Sequence, residues 1–244
     1  MLSKNKKNFI KSLKNKKDRI KNKVFTVEGE KQILEILDSD FEIKETIITK
    51  YFYEKYKNLI KNNFEIIEQK ELEKISNSIS NKSGILVVKQ KENIYIEKEK
   101  DEFVIVLDNI NDPGNLGTIL RTCDWYGVKK VIASKNTVEL TNPKVISSTM
   151  GSIKRVQIFY TDLEKYIEGK NDEIYGTFLE GENIHKINVP KKGGYIIIGN
   201  ESLGINKNLE KLVTKKITIP RFGKAESLNA GVATGIVLDN LLKK

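Results

Sequence analysis

The residues from Phe103 to Arg121 read FVIVLDNINDPGNLGTILR, and this stretch decides the fold of the second half of the chain. Phe103 to Leu107 are all apolar, as expected of a strand in a parallel sheet that helices cover on both faces. A loop rich in Gly, Pro and Asn follows from Asn109 to Gly117, and the pattern then predicts a helix from Thr118 to Tyr126. A strand, a polar loop and a helix in this order are typical of an α/β domain.

Outward from this stretch, the second half of the chain alternates between short apolar runs and helical patterns. The predicted strands are Lys130–Ala133, Val156–Tyr160, Ile174–Leu179, Tyr195–Ile198 and Lys216–Ile219. The predicted helices are Pro143–Met150, Asn206–Leu212 and Ser227–Leu242. We therefore expect a doubly wound α/β domain with a parallel sheet.

The first half carries a second, smaller α/β pattern between Val24 and Val88. Before it, residues 1–23 are dense in Lys, which predicts either a basic N-terminal arm that lies against phosphates or a solvated tail. After it, Lys89 to Glu102 are mostly charged and predict an exposed linker with at most one short strand. The expected division is an arm over 1–23, a small α/β domain over 24–98 and a large one over 99–244.

The composition narrows the classes of function. The 244 residues carry a formal net charge of +10, which suits a polyanionic partner such as nucleic acid, although a Lys-rich proteome would give the same excess. Cys123 and His185 are the only residues of their types, so a disulfide framework and a multi-cysteine metal site are excluded. We expect Cys123 to be buried and inert and His185 to lie at the surface.

The sequence also bears on location. No apolar run approaches the length of a membrane span, and the basic N-terminus lacks the apolar core of a secretory signal. The expected location is the cytoplasm.

Three polar loops leave the carboxyl ends of predicted parallel strands, the edge where open α/β sheets bind ligands. They are NDPGNLG at 111–117 (the first loop), GNESLG at 199–204 (the second loop) and PRFGKAESLN at 220–229 (the third loop). None is the dinucleotide fingerprint G-x-G-x-x-G or a P-loop, so any cofactor is bound in another way. Taken singly, each loop reads as a turn or a cap, and Ser227 is well placed as the N-cap of the last helix.

Taken together and in order, the loops resemble the three signature motifs of the SpoU (TrmH) family in the SPOUT superfamily. The matching segments are N-x-x-D-P-G-N-L-G-T-I-x-R from Asn109, G-N-E-x-x-G from Gly199, and Ile219-Pro220 followed by E-S-L-N. The resemblance runs from Phe103 to the C-terminus, and Val27 to Gly29 resembles the start of the family's N-terminal RNA-binding domain. Two positions depart from the family pattern: Arg221, where an apolar residue is common, and Ala230, where Val is more usual. Neither is among the residues essential to the motifs, and Arg221 bears on substrate contacts.

The resemblance implies a deep trefoil knot in the C-terminal domain, S-adenosylmethionine as cofactor and a homodimer. The positions that match cofactor-binding residues of the family are Thr177, Gly199, Ile219, Leu228 and Asn229. Val232, Ile236 and Leu238 give the last helix an apolar pattern, which indicates burial either in the core or against a partner subunit. No metal is implied.

The resemblance also implies transfer of a methyl group to a ribose 2′-hydroxyl of RNA. Arg121 matches an arginine for which a general-base role has been proposed in the family. A guanidinium keeps its proton near neutral pH, so binding the phosphate beside the reacting hydroxyl is the physically safer role. Glu201, Ser227 and Asn229 would then position Arg121 and the ribose, and Asn115 would organise the same pocket.

Two kinds of alternative stay open at this stage. Ribosomal RNA of the large subunit is the first expectation for the substrate, and transfer RNA is the second. The chain could instead be a non-catalytic RNA-binding protein of the same fold, or a small-molecule α/β enzyme with a basic surface. The intact Asn115, Arg121, Glu201, Ser227 and Asn229 argue against loss of activity.

Overall fold

A computed structural model gives the structure of the protein and describes residues 1–61, 63–78, 80–188 and 192–242. The chain divides into two compact units. Unit 1 contains Met1–Glu92 and Leu140–Lys154, and unit 2 contains Asn93–Glu139 and Arg155–Lys244.

Unit 2 is built on a parallel sheet, in which the described strands follow the order β10-β8-β9-β5-β6-β7. The strands are β5 (Phe103–Leu107), β6 (Lys130–Ser134), β7 (Gln157–Thr161), β8 (Ile174–Asn183), β9 (Gly194–Ile198) and β10 (Lys215–Thr218). The helices are α6 (Pro113–Trp125), α8 (Leu163–Ile167), α9 (Lys207–Glu210) and α10 (Ala230–Leu241). The expected α/β class with a parallel sheet is confirmed.

The centre of this sheet is buried because its strands are apolar on both faces. All five residues of β5 and all five of β9 are buried, and Val104, Val106 and Ile197 lie in one apolar cluster with residues of α8 and α9. Burial of one such side chain contributes about 1.5–3 kcal/mol. The continuous apolar run from Phe103 to Leu107 therefore has the role that its pattern predicted.

Two helix boundaries differ from the prediction. α6 begins at Pro113, not Thr118, because Pro suits the first helical turn and the Asp112 side chain caps the helix by accepting from the Asn115 N–H. α10 begins at Ala230, and its N-cap is Asn229 rather than Ser227. The first loop is thus largely a helical turn, and the third loop is longer than the pattern indicated.

Unit 1 is a mixed sheet with the described strand order β1-β4-β2-β3, in which only β2 and β3 pair in parallel. The strands are β1 (Val24–Glu28), β2 (Ile43–Thr49), β3 (Glu65–Ile67) and β4 (Gly84–Lys89). The helices are α1 (Lys4–Ser12), α2 (Lys16–Asn22), α3 (Glu30–Leu37), α4 (Lys50–Tyr56), α5 (Gln69–Glu73) and α7 (Pro143–Thr149).

The segment expected to form a basic arm folds as part of unit 1. Ile10 and Leu13 are buried in the cluster that contains Leu72 and Ile85. Arg19 is also buried, and its guanidinium donates to two carbonyl oxygens just after α1, those of Leu13 and Lys14. Apolar spacing within the Lys-rich sequence thus docks α1 and α2, and leaves most of their lysines at the surface.

The boundary between the units also differs from the expected one near residue 98. Residues 140–154 belong to unit 1, because Ile146 and Ile153 join the apolar cluster of α3 and β1. The Gln32 side-chain amide donates to the Ser147 carbonyl at 3.4 Å. The expected linker between Lys89 and Glu102 contains no strand among the described residues.

Candidate active site

The site begins with a hydrogen-bonded chain of three side chains from three segments of unit 2. The Asn115 amide, in the first turn of α6, donates to a carboxylate oxygen of Glu201 in the second loop. The Asn115 side-chain oxygen accepts from the Asn229 amide at 2.7 Å. Asn115 is buried at the centre of this chain, Glu201 is half-buried and Asn229 is exposed, so the two bonds tie a ligand-accessible residue of the third loop to a fixed residue of α6.

Close packing of α10 on α6 brings Asn229 to Asn115. A Cβ on Gly231 would lie 2.8 Å from the Thr118 methyl group, so glycine is needed for the two helices to approach this closely. The Asn229 side-chain oxygen accepts from the N–H groups of Gly231 and Val232. Asn229 therefore caps α10 and links it to α6 at the same time.

The second loop is closed by its own hydrogen bonds. Asn200 and Gly204 exchange two backbone bonds of 3.0 and 2.9 Å, and the Asn200 side-chain oxygen accepts from the N–H groups of Ser202 and Leu203. Its amide donates to the Asn109 carbonyl at 2.7 Å. Asn200 thus fixes the loop that carries Glu201, and in the sequence the only signal for this role is its place between Gly199 and Glu201.

The third loop has few internal bonds. Residues 221–229 are exposed, and residues 220–228 form no backbone–backbone hydrogen bond within the described part of the chain. The Arg221 guanidinium donates to the Ala225 carbonyl at 3.3 Å. Leu228 keeps 45% of its surface exposed, and Ser227 makes no hydrogen bond to a described residue. The loop presents backbone polar groups and an apolar side chain to a ligand.

The remaining predicted cofactor residues lie on neighbouring strands of the same sheet. Thr177 is on β8, and its hydroxyl donates to the Ile197 carbonyl of β9 at 3.0 Å. Gly199 follows β9, and a Cβ there would lie 2.4 Å from the Gly204 carbonyl carbon, so the loop needs glycine. Ile219 is half-buried directly after β10. Gly199 and Ile219 follow the ends of their parallel strands, whereas Thr177 lies inside β8, which continues to Asn183 and is longer than the predicted strand. No hydrogen bond joins these three residues to Asn115 within the described residues.

Arg121 stands apart from the hydrogen-bonded chain. It is exposed on α6, and its guanidinium makes no hydrogen bond or ion pair with the described residues. A guanidinium in this state presents its donors to an external anion. The structure therefore brings together Asn115, Glu201 and Asn229, but does not join Arg121 or Ser227 to them.

Burial shifts the pKa of two other groups in unit 2, the Cys123 thiol and the Asp108 carboxyl. Burial raises the pKa of the Cys123 thiol far above its ordinary range, so this thiol is not a nucleophile. Burial also raises the pKa of Asp108, whose carboxylate accepts from the Asn206 N–H at 2.7 Å. His185 is exposed, with Nδ1 3.2 Å from the Asn240 side-chain oxygen. The expected burial of Cys123 and the expected surface position of His185 are confirmed.

In the described ranges of the chain, no helix combines the length and the apolar character that crossing a lipid bilayer requires.

Two sequence families match the chain. The SpoU rRNA Methylase family matches residues 102–239, which is more than half of the chain. The MRM3-like substrate binding domain matches residues 5–83.

Individual proteins give the same result. The 23S rRNA (guanosine(2553)-2′-O)-methyltransferase of Bacillus subtilis is 27% identical over 241 residues, which cover 95% of this chain and 93% of that protein. The tRNA (guanosine(18)-2′-O)-methyltransferase of Aquifex aeolicus is 34% identical over 59% of this chain and 70% of its own length. An AdoMet-bound rRNA methyltransferase from Sinorhizobium meliloti superposes with a TM-score of 0.86 at 26% identity, over 99% of this chain and 95% of that chain.

Proposed function

The chain belongs to the SpoU rRNA methylase family, and from this premise we propose that it methylates the 2′-hydroxyl of a ribose in 23S rRNA. Its class of activity is that of an RNA methyltransferase that uses S-adenosylmethionine. The observation that carries the proposal is the hydrogen-bonded chain from Glu201 through the buried Asn115 to Asn229, which connects the three loops.

The residues present fit S-adenosylmethionine. The unpaired backbone groups of the third loop can bond an adenine edge, and exposed Leu228 offers apolar surface for the ring. Gly199 allows close backbone approach after β9. Thr177, Gly199, Ile219, Leu228 and Asn229 would hold the cofactor, which supplies a methyl group already activated on a positively charged sulfur.

The protein then has to align the ribose oxygen with that methyl group and exclude water. In this scheme Arg121 binds the phosphate beside the reacting hydroxyl, since its guanidinium is exposed and has no partner within the described residues. Ser227 and Asn229 orient the ribose, and Asn115 holds the Asn229 and Glu201 side chains in place through its two hydrogen bonds. Arg121 remains a binding residue in this scheme, because loss of its proton is costly.

Full-length similarity favours 23S rRNA over transfer RNA as the substrate. The Bacillus subtilis relative, named for a guanosine of 23S rRNA, aligns with 95% of this chain, including unit 1. The Aquifex aeolicus relative, named for a guanosine of tRNA, aligns with 59%. We therefore propose guanosine as the target nucleoside and unit 1 as the part that selects the site, with the exposed lysines of α1 and α2 contacting phosphates.

The proposal also covers the chain topology, the oligomeric state and the cellular location. The first is the trefoil knot, which the insertion of β9 between β5 and β8 and the return of α10 onto α6 support. The second is a homodimer: Trp125 on α6 is 85% exposed and Val232 on α10 is 51% exposed, and these apolar side chains suit a subunit interface. The third is a cytoplasmic location, where 23S rRNA is found.

The test is methyl transfer from radiolabelled S-adenosylmethionine to transcripts of 23S rRNA and of tRNA, followed by mass spectrometry of the nucleosides. We expect 2′-O-methylguanosine in 23S rRNA and loss of transfer in Arg121→Ala. Calorimetry with S-adenosylmethionine should show micromolar binding that Asn229→Ala weakens and Arg121→Ala leaves unchanged. RNA binding without cofactor binding would instead identify a non-catalytic RNA-binding protein.

A further inference from the structure

Two consecutive residues directly after β5 bond the second loop before it, within it and after it. The Asp108 N–H donates to the Ile198 carbonyl at 3.0 Å, at the end of β9 where the loop begins. The Asn109 carbonyl accepts from the Asn200 amide at 2.7 Å, inside the loop. The Asp108 carboxylate accepts from the Asn206 N–H at 2.7 Å, just beyond the loop. Asp108 and Asn109, here called the clamp, therefore hold both ends of the second loop.

The backbone of Asn109 has a conformation that few residue types adopt. Its φ is +56°, in the left-handed region, which glycine and asparagine tolerate and which β-branched residues almost never occupy. In this conformation the Asn109 N–H donates to the Ser134 hydroxyl of β6 at 2.9 Å, and the carbonyl bonds Asn200. One left-handed residue thus connects the end of β6 with the second loop.

Burial makes the contact at the far end of the loop costly to break. Asp108 is 4% exposed, and its two carboxylate oxygens accept from the Asn206 N–H and from the Asn109 side-chain amide. A buried carboxylate that loses a donor keeps the cost of its desolvation without the compensating bond. Departure of the loop would leave Asp108 buried and short of one donor, which opposes opening of the loop at Asn206.

The clamp belongs to the same segment of the chain as Asn115. This segment holds the second loop at its ends through the clamp, and it holds Glu201 through the Asn115 amide. Glu201 directly follows Asn200, so a displacement of Asn200 moves it. We infer that the Asp108–Asn109 clamp is a positioning element for methyl transfer, which sets where the Glu201 carboxylate lies relative to Asn115. This inference rests on the proposed function in taking Glu201 as a residue of the reaction site.

The first test replaces Asn109 in two ways. Asn109→Val forces a β-branched residue into left-handed backbone, so its carbonyl should turn away from Asn200. We expect kcat for methyl transfer from saturating S-adenosylmethionine to a 23S rRNA transcript to fall by about tenfold or more. Asn109→Gly keeps the left-handed backbone without the side chain, and its kcat should stay within about threefold of wild type.

Asp101→Val is the matched control for backbone strain. Asp101 is an exposed residue of the same unit, and its φ of +59° is also left-handed. The substitution introduces the same strain at a place that does not contact the second loop. Asp101→Val should therefore lower the melting temperature by a few degrees, about as much as Asn109→Val does, and leave kcat unchanged.

Two further measurements test whether the clamp acts through Glu201. In a Glu201→Ala background, Asn109→Val should lower kcat by about twofold at most, because no carboxylate remains to be positioned. Amide exchange at residues 200–204, measured without RNA or cofactor, should be about tenfold faster or more in Asn109→Val and in Asp108→Ala, and unchanged in Asn109→Gly. If Asn109→Val does not fold, Asp108→Ala is compared with Asp108→Asn, which keeps an acceptor for the Asn206 N–H.

The outcomes separate the clamp from the proposed function. Equal loss of kcat in Asn109→Val and Asn109→Gly, an additive loss in the double variant, or unchanged exchange at residues 200–204 in Asn109→Val would each overturn the positioning role. Full activity in Glu201→Ala would reject the role of Glu201 in the proposed function. Loss of activity in Glu201→Ala together with unchanged kcat in Asn109→Val would reject only the clamp.

Discussion

The second loop follows β9 and the third loop follows β10, at the same edge of one sheet. The two loops differ in how many internal hydrogen bonds hold them. The second loop is closed by a pair of backbone bonds between Asn200 and Gly204 and by the Asn200 side chain. The third loop is exposed, and residues 220–228 have no backbone partner among the described residues. One loop therefore has its geometry before a ligand arrives, while the other keeps its polar groups available for one.

This difference suggests separate roles for the two loops, one in positioning a side chain and the other in binding a ligand. A closed loop holds a carboxylate such as Glu201 in place without further ordering, which is what a positioning group needs. An open loop can form bonds with a ligand, but ordering it opposes binding through lost conformational entropy. The Asn115 side chain is the bridge between them, because it bonds Glu201 of one loop and Asn229 at the end of the other.

The largest effect is expected when this bridge is removed. Asn115→Ala leaves Glu201 and Asn229 without their buried partner, so we expect the kcat/KM for methyl transfer to 23S rRNA to fall by about 100-fold or more. Circular dichroism should show an intact fold. Asn171→Ala, an exposed asparagine of unit 2, is the control and should keep full activity. Activity within about threefold of wild type in Asn115→Ala would mean that the two loops act independently.

A matched pair of glycine variants compares the closed second loop with the open third loop directly. In the second loop, a Cβ on Gly199 would lie 2.4 Å from the Gly204 carbonyl carbon, so Gly199→Ala must open the loop. We expect its Kd for S-adenosylmethionine to rise by about tenfold or more. In the third loop, a Cβ on Gly223 meets no atom within 4 Å, so Gly223→Ala should change that Kd by about twofold at most. Calorimetry checks both, and equal effects would contradict the contrast.

A smaller effect is expected at Asn200. Asn200→Ala removes the bonds to Asn109, Ser202 and Leu203, so the closed loop should gain mobility and bind cofactor about fivefold more weakly. Ser202→Ala is the control, because its backbone N–H, which Asn200 binds, is unchanged. Faster amide exchange at residues 202–204 in Asn200→Ala alone would support this reading, and unchanged exchange would count against it.

The smallest effect concerns Asp108, which accepts from the Asn206 N–H just beyond the closed loop. Burial raises the pKa of Asp108, so the folded protein binds this proton more tightly than the unfolded chain does. Its contribution to the free energy of unfolding therefore falls as pH rises from about 4 through the raised value. Asp108→Asn keeps an acceptor oxygen and should unfold about 1–3 °C higher than wild type at pH 7, with the gain shrinking toward pH 4.

The control for this thermal measurement is Asp101→Asn, which changes an exposed carboxylate of unit 2. It should not alter the pH dependence of unfolding. A gain in Asp108→Asn that is the same at pH 4 and pH 7 would show that the burial of charge is not its cause.

The sequence determined a large part of this protein by local pattern. Five apolar residues from Phe103 to Leu107 suit a strand that is covered on both faces, and the order of strands, loops and helices after them indicated a parallel α/β domain. The loops at 199–204 and 220–229 followed the carboxyl ends of their strands as predicted, because parallel strands place those ends at one edge. These features depend on neighbours along the chain, which a pattern can represent.

Only the tertiary structure decided which side chains meet. Asn115 bonds a residue 86 positions away and another 114 positions away, and no local pattern encodes separations of that kind. The capping of α10 by Asn229 instead of Ser227 follows from the same contact, since the helix begins where it can pack on α6. Residues 140–154 belong to unit 1 because the side chains of Ile146 and Ile153 pack in its apolar core. Local sequence sets the backbone preferences of each segment, but long-range packing, which balances all segments together, selects their partners.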